Sequence, residues 1–373
     1  MIRAMHPRRV LTLALAVTLL GSASIALAQR SGPGMGPRPG GGPPAVALSF
    51  QWIDTHVHLV GDRGDFRGAV AAAVAAMDDA GISTMVLMSP PNVSGGRLWD
   101  VDDIRSVLTP RARFAFLGGG GTLNPMIHDT KPAAVDDPVR RRFETTAEEL
   151  VKKGAAGFGE IAAHHLSMMA GHPYESVDAD HPLLLLLADV AARHGVVIDL
   201  HFDVVPEDMK APEWLSVPPA PPILRANLAA FERLLAHNGG ARIVWAHAGS
   251  DMLGGRTVAL TRRLLSAHPN LFMSLRMAPG RAPQNAAFTL EGTIRPEWLT
   301  VFQEFPDRFV IGGDQFIASP SAGGRGGPGL TFSQRAPMMR QRSRAFLAAL
   351  PPDLAKKIGA ANAMALYKLE GGS

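Results

Sequence analysis

From Phe50 onward the chain alternates short, β-rich apolar runs with longer amphipathic or Ala/Leu-rich runs, and it does so eight times. Strict alternation of this kind is the pattern of βα units around a parallel sheet. The expected strands are Gln51–His58, Ser83–Ser89, Arg113–Gly118, Ala155–Glu160, Val196–His201, Arg242–His247, Leu271–Arg276 and Phe309–Asp314. The expected helices are Gly68–Ala80, Asp100–Val107, Glu144–Lys153, His181–His194, Ile223–His237, Thr257–His268, Pro296–Phe305 and Pro337–Leu350. Gly81, Gly154, Gly195 and Gly239 stand where helix-ending glycines belong, and Pro352–Leu369 reads as one more helix. Eight such pairs predict an α/β fold of the (β/α)8 TIM-barrel type, with its site at the C-terminal ends of the strands. An open doubly wound sheet is the competing arrangement. It gives no reason for polar residues to recur at strand ends around the whole order.

They do recur. Strand one ends in Asp54-Thr55-His56-Val57-His58, strand four in Glu160, strand five in His201, strand six in His247 and strand eight in Asp314. Side chains alternate faces along a strand, so His56 and His58 point the same way and form half of a divalent-metal site. A lone carboxylate at the end of a buried strand is costly, whereas carboxylates and imidazoles sharing a cation are not.

On these residues the chain resembles the amidohydrolase superfamily, in its amidohydrolase-related branch, over roughly residues 50–370. Asp54-Thr55-His56-Val57-His58 resembles the strand-one signature, and His201, His247 and Asp314 match the positions on strands five, six and eight. Asn362-Ala363-Met364-Ala365-Leu366-Tyr367 is similar to a C-terminal segment of the branch. The resemblance implies that His56, His58 and Asp314 bind the more buried metal. His201 and His247 then bind a second metal or, with one metal, divide between ligation and catalysis. Many hydrolytic members carry a carboxylated Lys on strand four, and decarboxylases often lack a bridge there. Glu160 therefore favours two metals, its other role being to orient an imidazole. The expected cofactor is a divalent cation, Zn by its donor set, one or two per chain.

The expected reaction is hydrolysis of a small amide, lactone or ester by metal-activated water, with Asp314 as general base and His247 as its catalytic partner. Non-oxidative decarboxylation of a small carboxylic acid on the same barrel is the alternative. A non-catalytic metal-binding protein and a nuclease are the remaining readings. Arg276, ending strand seven, is either a rim ion pair or a receiver of a substrate carboxylate. His164 and His165 are either substrate contacts or loop residues. Asp203 would orient His201 or cap a turn, and Asp54 shares the face of the two histidines.

The N-terminus speaks of targeting. Arg3, Arg8 and Arg9 precede an apolar run that closes in Ala26-Leu27-Ala28, so residues 1–28 read as a cleaved signal peptide and 29–49 as a Gly/Pro-rich linker. The expectation is an exported chain, periplasmic or secreted, with no stable membrane anchor after cleavage. Arg8-Arg9 leaves either export route open. Loss of that segment takes Lys+Arg from 37 to 34 against 33 Asp+Glu, so the formal charge falls from +4 to +1 and no nucleic-acid partner is expected. The chain has 373 residues and no Cys, long enough to bury a core without disulfides. Two long loops, 124–142 after strand three and 318–333 after strand eight, are either lids or clamps overhanging the site or mobile decoration. Gly118–Gly121 lacks the Lys and Ser/Thr of a phosphate loop.

Overall fold

Eight barrel strands form, and each begins within two residues of its expected start. The computed structural model describes residues 47–91, 99–166, 174–215, 220–248, 251, 253–278, 285–324 and 330–369. The segment expected to be a signal peptide, and the expected linker up to residue 46, lie outside the described residues. The strands are Trp52–Val60, Ile82–Leu87, Phe114–Phe116 with Gly118–Gly119, Gly157–His165, Val197–Phe202, Arg242–Ala248, Leu271–Leu275, and Phe309–Ile311 with Gln315–Ala318. All neighbouring pairs among them are parallel.

The strands divide into two sheets, and strands three and eight pass from one to the other. Phe114–Phe116 pairs with strand two, while Gly118–Gly119 pairs with strand four. Phe309–Ile311 pairs with strand seven, while Gln315–Ala318 pairs with strand one. Backbone hydrogen bonds carry the order across both breaks: Leu117 N to Leu87 O at 2.8 Å, Gly312 N to Leu275 O at 3.0 Å and Asp314 N to His56 O at 2.9 Å. The strand order is thus that of a (β/α)8 barrel, made from two sheets rather than one closed ladder.

Two cores sandwich the strands. The outer layer between strands and helices holds Trp52, Phe143, Phe158, Phe231, Trp245, Trp298 and Phe346. Inside, Ile53, Val86, Leu117, Val197, Val244 and Val310 fill the barrel floor, and Leu366 and Tyr367 of the last helix plug it. Alternation explains the division: strand-one Ile53 points to the floor and Trp52 to the helices. Helices Arg67–Ala80 and Pro182–His194 end on Gly81 and Gly195, both left-handed, as glycine C-caps do.

Several connections differ from expectation. The supposed loop 124–142 contains helix Leu123–Asp129 and the first turns of Asp137–Lys152, which Asp136 caps by accepting from Val139 N at 2.9 Å. The expected helix start at Ile223 is instead a short strand, Ile223–Leu224, antiparallel to Met209–Lys210. Pro221 and Pro222 hold that approach extended, and the helix begins at Leu228. That helix ends at His237 with Asn238 extended, so Gly239 is not its cap. Helix Val101–Ile104 is shorter than expected, and Phe332–Ala349 starts five residues earlier, containing Pro337 in its second turn. Of the loop 318–333, residues 325–329 lie outside the described set. No described helix is long and apolar enough to cross a membrane.

Candidate metal centre

All six ligand candidates converge at the C-terminal ends of the strands. His56 Nε2 lies 3.2 Å from His58 Nε2, and each lies 3.4 Å from Glu160 Oε2. Asp314 Oδ1 is 3.3 Å from His58 Nε2. The other Glu160 oxygen, Oε1, lies 2.8 Å from His201 Nδ1 and 3.1 Å from His247 Nε2, which are themselves 3.1 Å apart. Glu160 is 1% exposed, so no solvent reaches its carboxylate to stand in for these partners.

The donor set fits a divalent cation. Ligand atoms about 2.0–2.1 Å from a tetrahedral Zn stand roughly 3.3–3.4 Å from one another, close to the spacing here. Three of the four remaining ring nitrogens face a polar group, as such ligands require, and that of His247 has no hydrogen-bond partner among the described residues. His58 Nδ1 donates to Met88 O at 2.9 Å, His56 Nδ1 faces Asp199 Oδ1 at 3.2 Å, and His201 Nε2 donates to Asp203 Oδ2 at 3.2 Å. Three sets of ligand atoms lie within 4.8 Å of one another: His56/His58/Glu160, Glu160/His201/His247 and His56/His247/Asp314.

Without a metal, protons balance the carboxylates. Burial opposes charge on His56, yet Asp199 and Glu160 outweigh it and raise its pKa well above the usual value. His58 is raised in the same way, against burial, by Asp314 and Glu160. Burial again opposes charge on His201, but Asp203 and Glu160 lift it to about 10. His247 goes the other way: burial dominates and pushes it down to about 3 despite Asp314 and Glu160. Burial would raise Glu160, but the His56 charge and bonds from His201 and His247 hold it well below the carboxylate range. Burial also opposes ionisation of Asp314, which Arg276 and then His247 hold low. A cavity that binds protons this firmly has the charge to bind a cation in their place.

Two residues of the centre take uncommon backbone angles. His247 and Asp314 both adopt positive φ, +66° and +48°, uncommon for residues with a side chain. Asp314 owes this to the break in strand eight. There Gly313 lies against Asp54, whose Oδ2 would stand 2.5 Å from any Cβ. Asp54 Oδ1 accepts from Gly313 N at 2.8 Å and His56 N at 3.2 Å, and its Oδ2 accepts from Gln315 Nε2 at 2.6 Å. Gln315 Oε1 in turn accepts from Arg340 Nη1 at 2.8 Å. Asp54 thus locks strand one to strand eight beneath two ligands and touches neither ring.

Arg276 is neither free nor at a remote rim. Its Nη2 lies 3.0 Å from Asp314 Oδ2, and the side chain keeps 18% exposure. His164 is buried, and its Nδ1 donates to Asp203 O at 2.6 Å. Its neighbour His165 is the one beside the cluster, with its ring 4.4 Å from that of His201. Asp199 escaped the sequence reading altogether. Its signal was present, because Asp199 and His201 share one strand face as His56 and His58 do. Arg256 was equally unforeseen. Buried over Trp245 at 4.2 Å, it donates to Ala246 O at 2.7 Å and Phe202 O at 3.0 Å, bracing strands five and six behind His201 and His247.

The sequence profile of the amidohydrolase family matches residues 128–369, well over half of the chain. The chain belongs to the amidohydrolase family. The match spans Glu160, His201, His247 and Asp314, and it begins beyond His56 and His58. Among solved structures, this amidohydrolase-family chain is similar to one described as an amidohydrolase II, with 16% identity, 85% of this chain and 100% of that one covered, and a TM-score of 0.48. A dihydroxybenzoic acid decarboxylase from Polaromonas sp. JS666 with bound manganese shows 14% identity, coverages of 87% and 98%, and a TM-score of 0.47. A dihydroorotase from Campylobacter jejuni shows 13% identity, coverages of 87% and 85%, and a TM-score of 0.47. Comparison with curated proteins gives no match.

Proposed function

We propose that the chain is an exported, metal-dependent hydrolase of a small amide, lactone or ester. The observation that carries this reading is the Glu160 carboxylate, which turns one oxygen to His56 and His58 and the other to His201 and His247. A carboxylate so placed suits a bridge between two cations, with Asp314 completing the inner set. Imidazole and carboxylate donors suit Zn, and Mn or Fe can occupy similar sets. Bound there, the cation would acidify a water molecule and polarise the scissile bond.

The chain's own residues supply the rest. Asp314 is the proton acceptor, because it alone of the ligand carboxylates keeps 12% side-chain exposure at the mouth. Arg276 keeps it ionised and aims its Oδ2. After accepting a proton, Asp314 would deliver it to the leaving group, a transfer worth about 10²–10⁴-fold in rate. With a single cation bound, His247, uncharged near neutral pH, would be left to hydrogen-bond the reacting carbonyl. Export rests on Arg3, Arg8 and Arg9 before the apolar run ending at Ala28.

A decarboxylase on the same frame draws support from Arg276, whose planar fork at the mouth would receive a substrate carboxylate. Metal analysis of the protein purified without chelators separates the two. About two equivalents per chain, falling towards one in Glu160→Ala, with acid release from amide, lactone or ester, is the expected result. One equivalent unaffected by that substitution, with carbon dioxide release from carboxylic acids, would overturn the hydrolase reading.

A further inference from the structure

Beside the centre, a cavity of about 380 Å³ opens at the end of strand one, its wall including Val60, Phe66, Pro90, Trp99 and Phe316. Phe316 joins it to the ligands. It follows Asp314 by two residues, is paired across the sheet with His58, and its ring centroid lies 4.6 Å from the His58 ring. A substrate held at His58 and Asp314 therefore meets Phe316 with whatever group it carries next to its reacting bond.

The wall is both flat and fixed. Phe316 is backed by Phe332, stacked at 5.0 Å and 11°. Trp99 has its one polar atom engaged, since Nε1 donates to Leu59 O at 3.1 Å, and Phe66 meets the indole edge-on at 5.7 Å. The charged group on the lining, Asp103, is also engaged: its Oδ2 accepts from Asp100 N at 2.9 Å, closing the cap of helix Val101–Ile104. An ionised or strongly polar substituent entering here would leave water and meet aromatic faces. A flat apolar one would trade water for stacking and edge contacts. The volume sits at the small end of ligand sites, which run about 300–1,000 Å³.

We propose that this cavity receives an uncharged aromatic group of one or two rings, so that the substrate is an aryl-bearing amide or ester. The assignment rests on the hydrolase reading for its bond type, but not for its ring.

The test is calorimetric titration of the metal-loaded protein with phenylacetamide and with acetamide, followed by ammonia release from each. Phenylacetamide should bind at least tenfold more tightly than acetamide. Trp99→Leu and Phe316→Ala should each remove most of that preference while metal content, measured in parallel, stays unchanged for Trp99→Leu. Equal affinity for the two amides in the wild-type chain, or a preference that survives both substitutions, overturns the proposal whatever the enzyme hydrolyses. Preferential binding of phenylacetamide without ammonia release keeps the aromatic cavity and counts against amide hydrolysis. Because the wild-type comparison stands alone, misfolding of either variant does not rescue the idea.

Discussion

His56 and His58 leave one strand two residues apart, and the far nitrogen of each meets a group hidden from solvent, the Asp199 carboxylate or the Met88 carbonyl. His201 and His247 come from two strands and are held less evenly. Asp203, behind His201, keeps 25% side-chain exposure, and His247 Nδ1 has no hydrogen-bond partner among the described residues. The donor atoms are of the same kind and similarly spaced, so what differs is the support behind them. A dry pair, each ring backed by a buried polar group, is preorganised for its cation, whereas a wetter pair with one ring left unbacked can let its cation exchange. The inner half should therefore keep its metal when the outer half has lost it.

The largest effect expected is on turnover rather than on either metal. Asp314→Asn should lower kcat by roughly 10²–10⁴-fold while the circular-dichroism spectrum and the outer metal stay as in the parent. Near-native kcat would detach Asp314 from proton transfer. Next come the groups behind the imidazoles, whose removal typically weakens metal affinity about 10–100-fold. Asp199→Asn should fall at the upper end and affect the inner cation. Asp203→Asn should fall at the lower end and affect the outer one. Competition against a chelator measures both, and the reverse ranking would break the contrast drawn here.

Protons sharpen it further. In the metal-free protein His201 is raised to about 10, above its unfolded value of 6.5, so its charge stabilises the fold fully below pH 6.5. That contribution disappears as pH climbs towards 10. His247, lowered to about 3, has the opposite sign: it costs stability as pH falls below 6.5, because the unfolded chain takes up a proton the folded one refuses. Metal-free Tm should therefore decline from pH 7 to 10, and outer-site metal uptake should strengthen over the same range as His201 releases its proton. A metal-free Tm that rises across that window would contradict the assignment. The smallest effect belongs to the lock beneath the ligands. Gln315→Ala leaves the buried Asp54 Oδ2 without its donor and should cost about 1–3 kcal/mol of stability in chemical denaturation, with little change in kcat.

Much of this arrangement was written in the order of residues. Strand alternation alone puts His56 and His58 on one face, and the position of each ligand at a strand end follows from counting apolar runs. Both signals are local, so a linear reading reaches them. The same periodicity would have delivered Asp199 from His201. Yet an aspartate inside the run Val196-Val197-Ile198-Asp199-Leu200 looks like an interruption of a strand rather than part of a site. Loop lengths misled for a related reason: 124–142 is rich in polar residues, yet Asp136 caps a helix within it.

Other features came only with the tertiary structure. That Glu160 divides its two oxygens between two histidine pairs depends on strands one, five and six meeting around strand four, a consequence of barrel curvature and not of spacing. The break of strand eight at Gly312–Asp314 exists because the chain changes partner there, from strand seven to strand one, around the buried Asp54. Arg276 reaches Asp314 across adjoining strands, and Phe316 joins an aromatic cavity to His58. The sequence by itself determined which residues face inward, because side-chain direction is a local property of an extended backbone. Which of them touch was decided by how eight strands close on one another, since those contacts join residues as far apart as Asp54 and Gln315, 261 positions along the chain.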